Sequence, residues 1–387
     1  MNLLTSSRLR SWQSCPRAHH YRYEVGLEPV GAQPHAIIFG TAIHKGLEAW
    51  WRCYQEGDAR YALAVALTDA EQSYESDDPF TTAMLRALLI AYDARWSEWA
   101  ATVEVLGVEV PFSYELRHPV TREPARTWRV AGKIDAMVRL SDGRVAIVEH
   151  KSSSVDASAG SDYRRRLTLD AQVSTYFDGA ASLGFDADLC IYDVLCKPGL
   201  SQLLATPEES RAYTQPKSRA CKECSRKGST KRPATPPPHV DDDGLTCLDG
   251  RIVTDAGGVL YANMRDRDET STEYEARLIQ ALASDPDRYL IHAEIVRTEA
   301  EREAHAWTLW HTVRSIHETR RAAQEARDVR AVPQHASACF NHGSRCSFID
   351  ICEGTASARD ATRFRRLATV HPELVEPQND THDNAAE

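Results

Sequence analysis

The chain has 387 residues, of which 42% are hydrophobic and 26% are charged, and its formal net charge is -10. The length allows one elaborated domain or two ordinary ones, and these ordinary globular fractions exclude wholesale disorder and a fibrous architecture. The negative charge excludes a protein coated in positive potential, so any contact with nucleic acid must rely on local basic patches.

The sequence shows no sign of membrane insertion or export. No window approaches the roughly eighteen consecutive apolar residues of a membrane span, and the first residues lack a signal-peptide stretch. We therefore expect a cytoplasmic protein without membrane contact. In a reducing compartment, its ten cysteines are metal ligands or buried thiols rather than disulfides.

Helical patterns precede strand patterns in the first half of the chain. Apolar residues at three- and four-residue spacing predict a helix from about Thr41, and residues 60–103 carry more helical pattern. Strands are predicted at VEVLGVEVPFSYEL, TWRVAGKIDAMVRL and RVAIVEHKSS, then a helix at LDAQVSTYFDGAASLG and a strand at DLCIYDVLCKP.

The second half begins with a change of composition. Residues 198–257 are dense in Pro, Lys, Arg, Ser and Asp, which is typical of an inserted loop or mini-module. Helical pattern resumes at 271–283 and 294–328, and the polar, acidic end of the chain predicts a disordered tail.

Two of the predicted strands form a β-hairpin around the three-residue loop Ser-Asp-Gly. This pairing places Val138 opposite Ala146 and Asp135 opposite Glu149, and directly opposed residues share one face with Cβ atoms roughly 5 Å apart. Lys151, two residues beyond Glu149, lies on the same face. The hairpin thus predicts two carboxylates and an ammonium group in one cluster.

Such a cluster suits the hydrolysis of phosphodiesters. Two desolvated carboxylates stay ionised only with a cation between them, and hard oxygen ligands favour Mg²⁺ or Mn²⁺. A lysine beside the metal can position water and stabilise charge on a phosphate. The open alternative is an ordinary cross-strand ion pair between Asp135 and Lys151 on an exposed face.

Further motifs surround the hairpin, in the order SCPRAHHYRYEVGL, FGTAIHKGLE, GKIDAM, AIVEHKS, QVSTY and a terminal cysteine cluster. In this order the chain resembles the RecB/AddB-type branch of the PD-(D/E)XK nuclease superfamily, which includes iron-sulfur exonucleases of CRISPR adaptation systems and many phage proteins. The resemblance implies an α/β fold, with a restriction-endonuclease-like core of a mixed sheet flanked by helices, a helical N-terminal insertion and a C-terminal iron-sulfur cluster region.

The resemblance also implies a metal site. His44, from the G-T-x-x-H motif, would join Asp135 and Glu149 as a metal ligand, and the main-chain carbonyl of His150 would complete the coordination. Neutral imidazole is a reasonable ligand for Mn²⁺. Viewed without the resemblance, His44 reads as a histidine on a helix surface or in the core.

Two helical residues would assist the lysine. Gln172 and Tyr176 are four residues apart and project from one helix face, and the resemblance makes them the pair that supports Lys151 and touches the DNA backbone. A polar helix face with a half-buried tyrosine is the alternative. The basic run Arg164, Arg165 and Arg166 is a candidate DNA-binding patch, or a solvated face.

The terminal cysteines fit an iron-sulfur cluster. Cys15 precedes the nuclease motifs, while Cys339, Cys346 and Cys352 follow them, and four thiolates complete a [4Fe-4S] site. In the similar iron-sulfur nucleases the cluster fastens the C-terminal segment to the N-terminal one. Six residues separate the first two of the trio, more than is usual there. A zinc Cys₄ site is the main rival, followed by buried thiols without metal.

A second cysteine group lies in the polar insertion. Cys221 and Cys224 form a C-x₂-C knuckle, with His239 and Cys247 downstream, and Zn²⁺ bound there would explain how a coreless segment folds. A disordered basic loop is the alternative.

The combined prediction is a metal-dependent DNA exonuclease that acts on single strands or duplex ends in replication, recombination or repair, encoded by a phage or a cellular genome. Candidate partners are a helicase, a recombinase or an annealing protein. The alternatives are a DNA-binding or assembly subunit that keeps the fold and cluster without cutting, and a nuclease for RNA.

The predicted organisation has five parts. They are an N-terminal segment with the first cluster cysteine at 1–30, the nuclease core with its helical insertion at 31–197, the basic Cys/Pro-rich insertion at 198–257, a C-terminal helical and cluster-binding region at 258–358, and the acidic tail at 359–387.

Overall fold

The computed structural model describes residues 1–31, 33–74, 78–215, 217–221, 238–240, 244–248, 251–255, 257–341 and 344–374. The chain divides into two compact units. The first comprises Met1–Gly199 together with the chain from Leu278 onward, and the second comprises Leu200–Arg277.

Strands and helices alternate in groups along the described chain. The strands are β1 (Asn2–Leu4), β2 (Leu27–Pro29), β3 (Glu104–Arg117), β4 (Pro124–Arg139), β5 (Val145–Ser153), β6 (Leu189–Cys196), β7 (Lys217–Ala220), β8 (His239–Val240), β9 (Thr246–Leu248), β10 (Arg251–Asp255), β11 (Leu290–Ile295), β12 (Phe340–Asn341), β13 (Ser344–Arg345) and β14 (Phe364–Arg366). The helices are α1 (Ser6–Ser14), α2 (Pro16–His19), α3 (His35–Glu56), α4 (Ala62–Ser73), α5 (Pro79–Ala100), α6 (Asp162–Thr168), α7 (Ala171–Ser182), α8 (Ser271–Ser284), α9 (Pro286–Tyr289), α10 (Glu299–Ala326) and α11 (Ile349–Glu353).

A six-stranded mixed sheet forms the centre of the first unit. β3 pairs antiparallel with β4 along one edge, and the other edge of β4 is shared by β1, which is parallel, and β5, which is antiparallel. β6 runs parallel to β5, and β11 runs antiparallel to β6. β1 pairs with residues 128–130 of β4, and β5 pairs with residues 136–139 of the same edge. Asp135 therefore lies in the stretch of β4 between these two pairings.

Two helices cover opposite faces of this sheet near that stretch. Alternate residues of β6 point to opposite faces, and Cys190, Tyr192 and Val194 share a buried cluster with Phe177 of α7. Asp193 points the other way and accepts a hydrogen bond from Tyr92 of α5 at 2.6 Å. α7 and α5 therefore pack against opposite faces of the sheet at β6.

Phe112 of β3 sets the close approach of α7 to the sheet. Its ring fills the space above Gly132 of β4 and Gly179 of α7, where added Cβ atoms would lie 2.5 Å from Phe112 Cζ and 2.7 Å from Phe112 Cγ. Glycine is needed at both positions because no other residue leaves room for the ring.

The second unit contains a four-stranded antiparallel sheet in the order β7-β10-β9-β8. Its buried apolar cluster among the described residues consists of Cys221, Cys247 and Ile252. In the described part of this sheet, the cluster therefore buries little apolar surface.

The mixed α/β prediction is confirmed, with three corrections. The tail predicted to be disordered from residue 359 contains β14, which pairs with β2. The predicted helix from Thr41 begins earlier, at His35. The helix predicted from residue 294 begins at Glu299, where Thr298 caps it together with Glu301, and residues 290–295 instead form β11 of the central sheet. None of the described helices is long and apolar enough to cross a membrane.

Candidate active site

Asp135 and Glu149 lie where the ladder between β4 and β5 ends. Val138 pairs with Ala146, and the last pair of the ladder is Ala136 with Val148. One residue further, the register sets Asp135 opposite Glu149. Here the His150 N–H donates to Asp135 Oδ2 at 2.9 Å. The two carboxylates are thus brought together at the point where the strands separate.

Glu149, Lys151, Gln172 and Tyr176 form one hydrogen-bonded chain. Lys151 Nζ is ion-paired with Glu149 Oε1, and it also donates to Gln172 Oε1 at 3.3 Å. The Gln172 amide lies 2.8 Å from Glu149 Oε1 and 2.7 Å from the Tyr176 hydroxyl. Gln172 of the predicted helical pair therefore contacts both the lysine and the carboxylate, and Tyr176 contacts Gln172.

Asp170 fixes the start of α7 and with it the position of Gln172. Its Oδ1 caps the helix by accepting the Gln172 N–H at 2.9 Å, which satisfies one of the unpaired donors of the first turn. Its Oδ2 accepts the Tyr192 hydroxyl of β6 at 2.8 Å. This cap ties α7 to the sheet next to Lys151.

His44 reaches the carboxylates from α3. Its Nδ1 lies 3.5 Å from Asp135 Oδ2, and the side chain is about one-third exposed. Desolvation lowers the pKa of His44, but the Asp135 and Glu149 carboxylates together outweigh it, so the pKa lies above its ordinary value. The geometry therefore places an imidazole next to the acidic pair, on the side that faces solvent.

The electrostatics of the acidic pair fit a divalent cation. Glu149 is 1% exposed, and its Oε2 is buried without a hydrogen-bond partner in the described structure. Burial and the Asp135 carboxylate raise the pKa of Glu149 to about 7. For Asp135, burial also raises the pKa, but His44, His150 and Lys151 together outweigh burial and hold the pKa below its ordinary value. A buried carboxylate oxygen lacking a donor is suited to binding a cation.

A buried network behind the site was not predicted from the sequence. Asp193 of β6 lies 2.8 Å from His150 Nδ1 and 3.4 Å from His292 Nε2, and it accepts the Tyr92 hydroxyl. Burial opposes the charge of Asp193, yet the two histidines hold its pKa below the ordinary value. The available signal was an aspartate within the apolar run DLCIYDVLC, since such a residue needs partners when buried.

A groove of about 520 Å³ borders the site, and Lys151 and Gln172 form part of its lining. Arg10 of α1 and Arg166 of α6 line it as well, together with Leu169, which is 84% exposed. Of the predicted basic run, Arg165 and Arg166 are exposed and Arg164 is half-buried. Only Arg166 of these three lines this groove.

The four cysteines at the chain ends line one cavity of about 100 Å³, formed in the first unit by residues that include Cys15, Cys339, Cys346 and Cys352. Two polar hydrogens point to their sulfur atoms. The His335 N–H lies 3.5 Å from Cys15 Sγ, and the Gln334 amide lies 3.8 Å from Cys339 Sγ. Such donors stabilise thiolates around a metal centre.

Hydrogen bonds join the two chain segments that carry these cysteines. The Arg17 guanidinium donates to Val332 O at 2.8 Å and to Gln334 Oε1 at 2.7 Å. β2 and β14 add an antiparallel pair between the same two segments. The N-terminal and C-terminal segments are therefore fastened together at the cavity.

In the second unit, three of the residues predicted to bind zinc come together. The ligand atoms of Cys221, His239 and Cys247 all lie within 4.8 Å of one another. The fourth, Cys224, lies outside the described residues.

A comparison with known families agrees with this geometry. A family model described as the PD-(D/E)XK nuclease superfamily matches residues 3–353, which is nearly the whole chain. No curated protein matches the sequence.

Proposed function

The chain belongs to the PD-(D/E)XK nuclease superfamily, and from this we propose that it is a metal-dependent DNA nuclease with Asp135, Glu149 and Lys151 at its catalytic centre. Members of this superfamily use Mg²⁺ or Mn²⁺. The observation that carries the proposal is the buried Oε2 of Glu149, which has no hydrogen-bond partner in the described structure and belongs to the residue paired with Lys151.

The donor set of the site fits such an ion. Asp135 and Glu149 offer carboxylate oxygens, and His44 offers a ring nitrogen beside Asp135. The main-chain carbonyl of His150 is a further ligand that the family resemblance assigns. When bound, Mg²⁺ or Mn²⁺ supplies Lewis acidity and lowers the pKa of water.

Side chains of the protein stabilise charge on the phosphate and position the groups that do so. The Lys151 ammonium donates to a water or to a phosphate oxygen and stabilises the negative charge that builds on the phosphate. Gln172 holds Lys151 in place, since its Oε1 accepts from Lys151 and its amide donates to Glu149. The hydrolysis requires no covalent intermediate with the enzyme.

We assign the substrate as DNA presented from a free end. The groove beside Lys151 gives a strand two guanidinium groups, Arg10 and Arg166, for its phosphates, and the exposed Leu169 for contact with a base. The preference for an end rests on the similarity of the motifs to exonucleases of the RecB/AddB-type branch.

An iron-sulfur cluster at the chain ends is the structural part of the proposal. Four thiols around one cavity, with polar hydrogens directed at two of the sulfurs, match the donor set of a [4Fe-4S] cluster. Its role would be to lock the cysteine-bearing end segments together. A zinc ion bound by the same four cysteines is the rival assignment.

A cleavage assay with end-labelled substrates tests the nuclease proposal. We expect Mn²⁺-dependent release of short products from linear single-stranded and duplex DNA, and no cleavage of a covalently closed single-stranded circle. Glu149→Ala and Lys151→Ala should each slow cleavage on the order of 10²–10³-fold or more, with DNA affinity nearly retained. Cleavage of the circle would refute end dependence while leaving the nuclease assignment intact.

Lys45→Ala serves as the matched control, because Lys45 is also a lysine paired with a glutamate, Glu48, but lies on α3 in a more exposed position. It should cut as the wild type does. Unchanged cleavage by Lys151→Ala would refute the site, and binding of DNA with no cleavage under any metal would support the non-cutting alternative. A matched set of labelled RNA substrates decides between DNA and RNA.

A further inference from the structure

The second unit places three side chains of the types that bind metals on one face of its small sheet. His239 of β8 pairs directly with Cys247 of β9, and Cys247 has Ile252 of β10 as its partner on the other side. Ile252 in turn pairs with Arg219 of β7. Directly opposed residues share a face, and Cys221 follows two residues after Arg219, so it returns to that same face.

The side chains meet there at metal-ligand distances. Cys221 Sγ lies 3.4 Å from His239 Nε2, and the three ligand atoms all lie within 4.8 Å of one another. Around a tetrahedral zinc ion with bonds of about 2.0–2.3 Å, neighbouring ligand atoms are separated by roughly 3.5–3.8 Å. Cys221 and Cys247 are 0% and 1% exposed, so an ion between them would be shielded from water.

We propose that Cys221, His239 and Cys247 bind a structural zinc ion that holds the second unit together. The inference is independent of the nuclease proposal, since it concerns the folding of Leu200–Arg277 and no step of catalysis. The proposal rests on these three residues, all of which lie in the described part of the chain.

The energetics of this unit explain why it would need an ion. Its described buried cluster contains one ordinary apolar residue, Ile252, beside the two cysteines. The ligands are far apart in sequence, with His239 eighteen residues after Cys221 and Cys247 eight residues further on. Closing these loops costs conformational entropy, and within this cluster a single ordinary apolar side chain opposes that cost. Zinc binding supplies folding free energy directly in domains of this kind.

The metal content of the full-length protein tests the site. Purified wild type should contain about one zinc ion per chain attributable to this site, and both Cys247→Ser and His239→Ala should lose it. Iron content and the brown colour of the anaerobic protein are measured on the same samples, because the second group of cysteines could hold a metal of its own. Cys346→Ser should lower the iron content and leave the zinc content of this site unchanged.

The conservative variant His239→Cys keeps the proposal testable if the other variants fold poorly. Thiolate is a good zinc ligand, so His239→Cys should retain the ion. After replacement of zinc by Co²⁺, the wild type should show thiolate-to-cobalt absorption near the ultraviolet edge. That absorption should become stronger in His239→Cys, because one more thiolate binds the ion.

Cys53→Ala is the matched control, since Cys53 is a buried cysteine on α3, outside both cysteine groups. It should keep the full zinc content and the cobalt spectrum. Limited proteolysis should cut the Leu200–Arg277 region of Cys247→Ser and of chelator-treated wild type, while the same region stays protected in Cys53→Ala. Wild-type protein that lacks zinc and gives no cobalt-thiolate absorption would overturn the proposal, as would full zinc retention in Cys247→Ser.

Discussion

His150 Nδ1 lies 2.8 Å from Asp193 Oδ2, and both side chains are almost completely buried. The main-chain N–H of the same histidine donates to Asp135 Oδ2. Asp193 therefore holds, through His150, the backbone that orients one of the two site carboxylates. The sheet transmits this restraint because β5 and β6 pair His150 with Asp193.

We predict that Asp193→Asn weakens the site without direct contact with it. An amide accepts the histidine hydrogen less strongly than a carboxylate does, so His150 becomes less well fixed. The apparent affinity for Mn²⁺ should fall on the order of 10- to 100-fold, as is typical when a partner of a metal-site residue is changed. Metal-dependent cleavage measured against Mn²⁺ concentration checks this.

Tyr92→Phe is the control for that experiment. It removes the hydrogen bond from the Tyr92 hydroxyl to the same carboxylate but leaves the His150 contact intact. Its unfolding temperature should fall as that of Asp193→Asn does, while its Mn²⁺ dependence stays near that of the wild type. If cleavage by Asp193→Asn shows the same Mn²⁺ dependence as cleavage by Tyr92→Phe, Asp193 affects stability alone.

The pH dependence of metal binding should follow Glu149. Burial and Asp135 raise the pKa of Glu149 to about 7 from an ordinary value of 4.5. Between these two values the folded metal-free protein holds a proton here that the unfolded chain has lost, so this group lowers stability as the pH rises through the window. A bound cation replaces that proton. The apparent Mn²⁺ affinity should therefore increase about tenfold from pH 6 to pH 8.

Thermal unfolding with and without Mn²⁺ measures this effect. The shift in Tm caused by Mn²⁺ should be larger at pH 8 than at pH 6. Metal-free Glu149→Gln should gain stability relative to the wild type as the pH rises, because glutamine carries no charge to bury. A Mn²⁺-induced shift in Tm that is equal at both pH values would contradict the assignment of this proton to Glu149.

The hairpin register was predictable because it is local. A three-residue loop with Gly143 at a positive φ of 91° leaves one way to pair the strands, and Val138 does pair with Ala146. The burial of Asp193 was not predictable, since its partners Tyr92, His150 and His292 come from three separate elements. The strand at 290–295 was missed because six residues beside a long charged helix carry too little pattern of their own.

The proximity of Cys15 to the C-terminal cysteines could be predicted only with the help of a known family. More than 300 residues separate Cys15 from Cys339, and neither propensity nor periodicity acts over such a distance. Only the resemblance to iron-sulfur nucleases suggested it. In the second unit, by contrast, no relative was needed, because a C-x₂-C knuckle in a Pro-rich segment already indicates a metal site.

We predict that Gly179→Ala destabilises the protein and disturbs the site together. The new methyl group would lie 2.7 Å from Phe112 Cγ, so α7 must move away from the sheet, at a cost of about 1–3 kcal/mol in the free energy of unfolding. Because α7 carries Gln172, cleavage should slow as well. Urea unfolding and the cleavage assay measure the two effects.

Two variants sharpen this test. Gly40→Ala on α3 places its methyl group at an ordinary contact distance, 3.7 Å from Ser152 Oγ, and it should be neutral or slightly stabilising. Phe112→Leu combined with Gly179→Ala should recover part of the lost stability, because the smaller side chain makes room. Wild-type stability in Gly179→Ala alone would show that the contact with Phe112 is not tight.

Cys346→Ser should separate the structural role of the terminal cysteines from catalysis. Cys346 lines the cavity together with Cys15, and replacing a thiolate ligand removes a cluster or a metal ion from that cavity. Anaerobic wild-type protein should be brown and contain about four iron atoms per chain, and the variant should lose both properties along with much of its solubility. Colourless wild-type protein with stoichiometric zinc bound at these four cysteines would reject iron. Any folded fraction of the variant should still bind Mn²⁺ at the site of Asp135 and Glu149, since those ligands are held by β4 and β5 rather than by the joined chain ends.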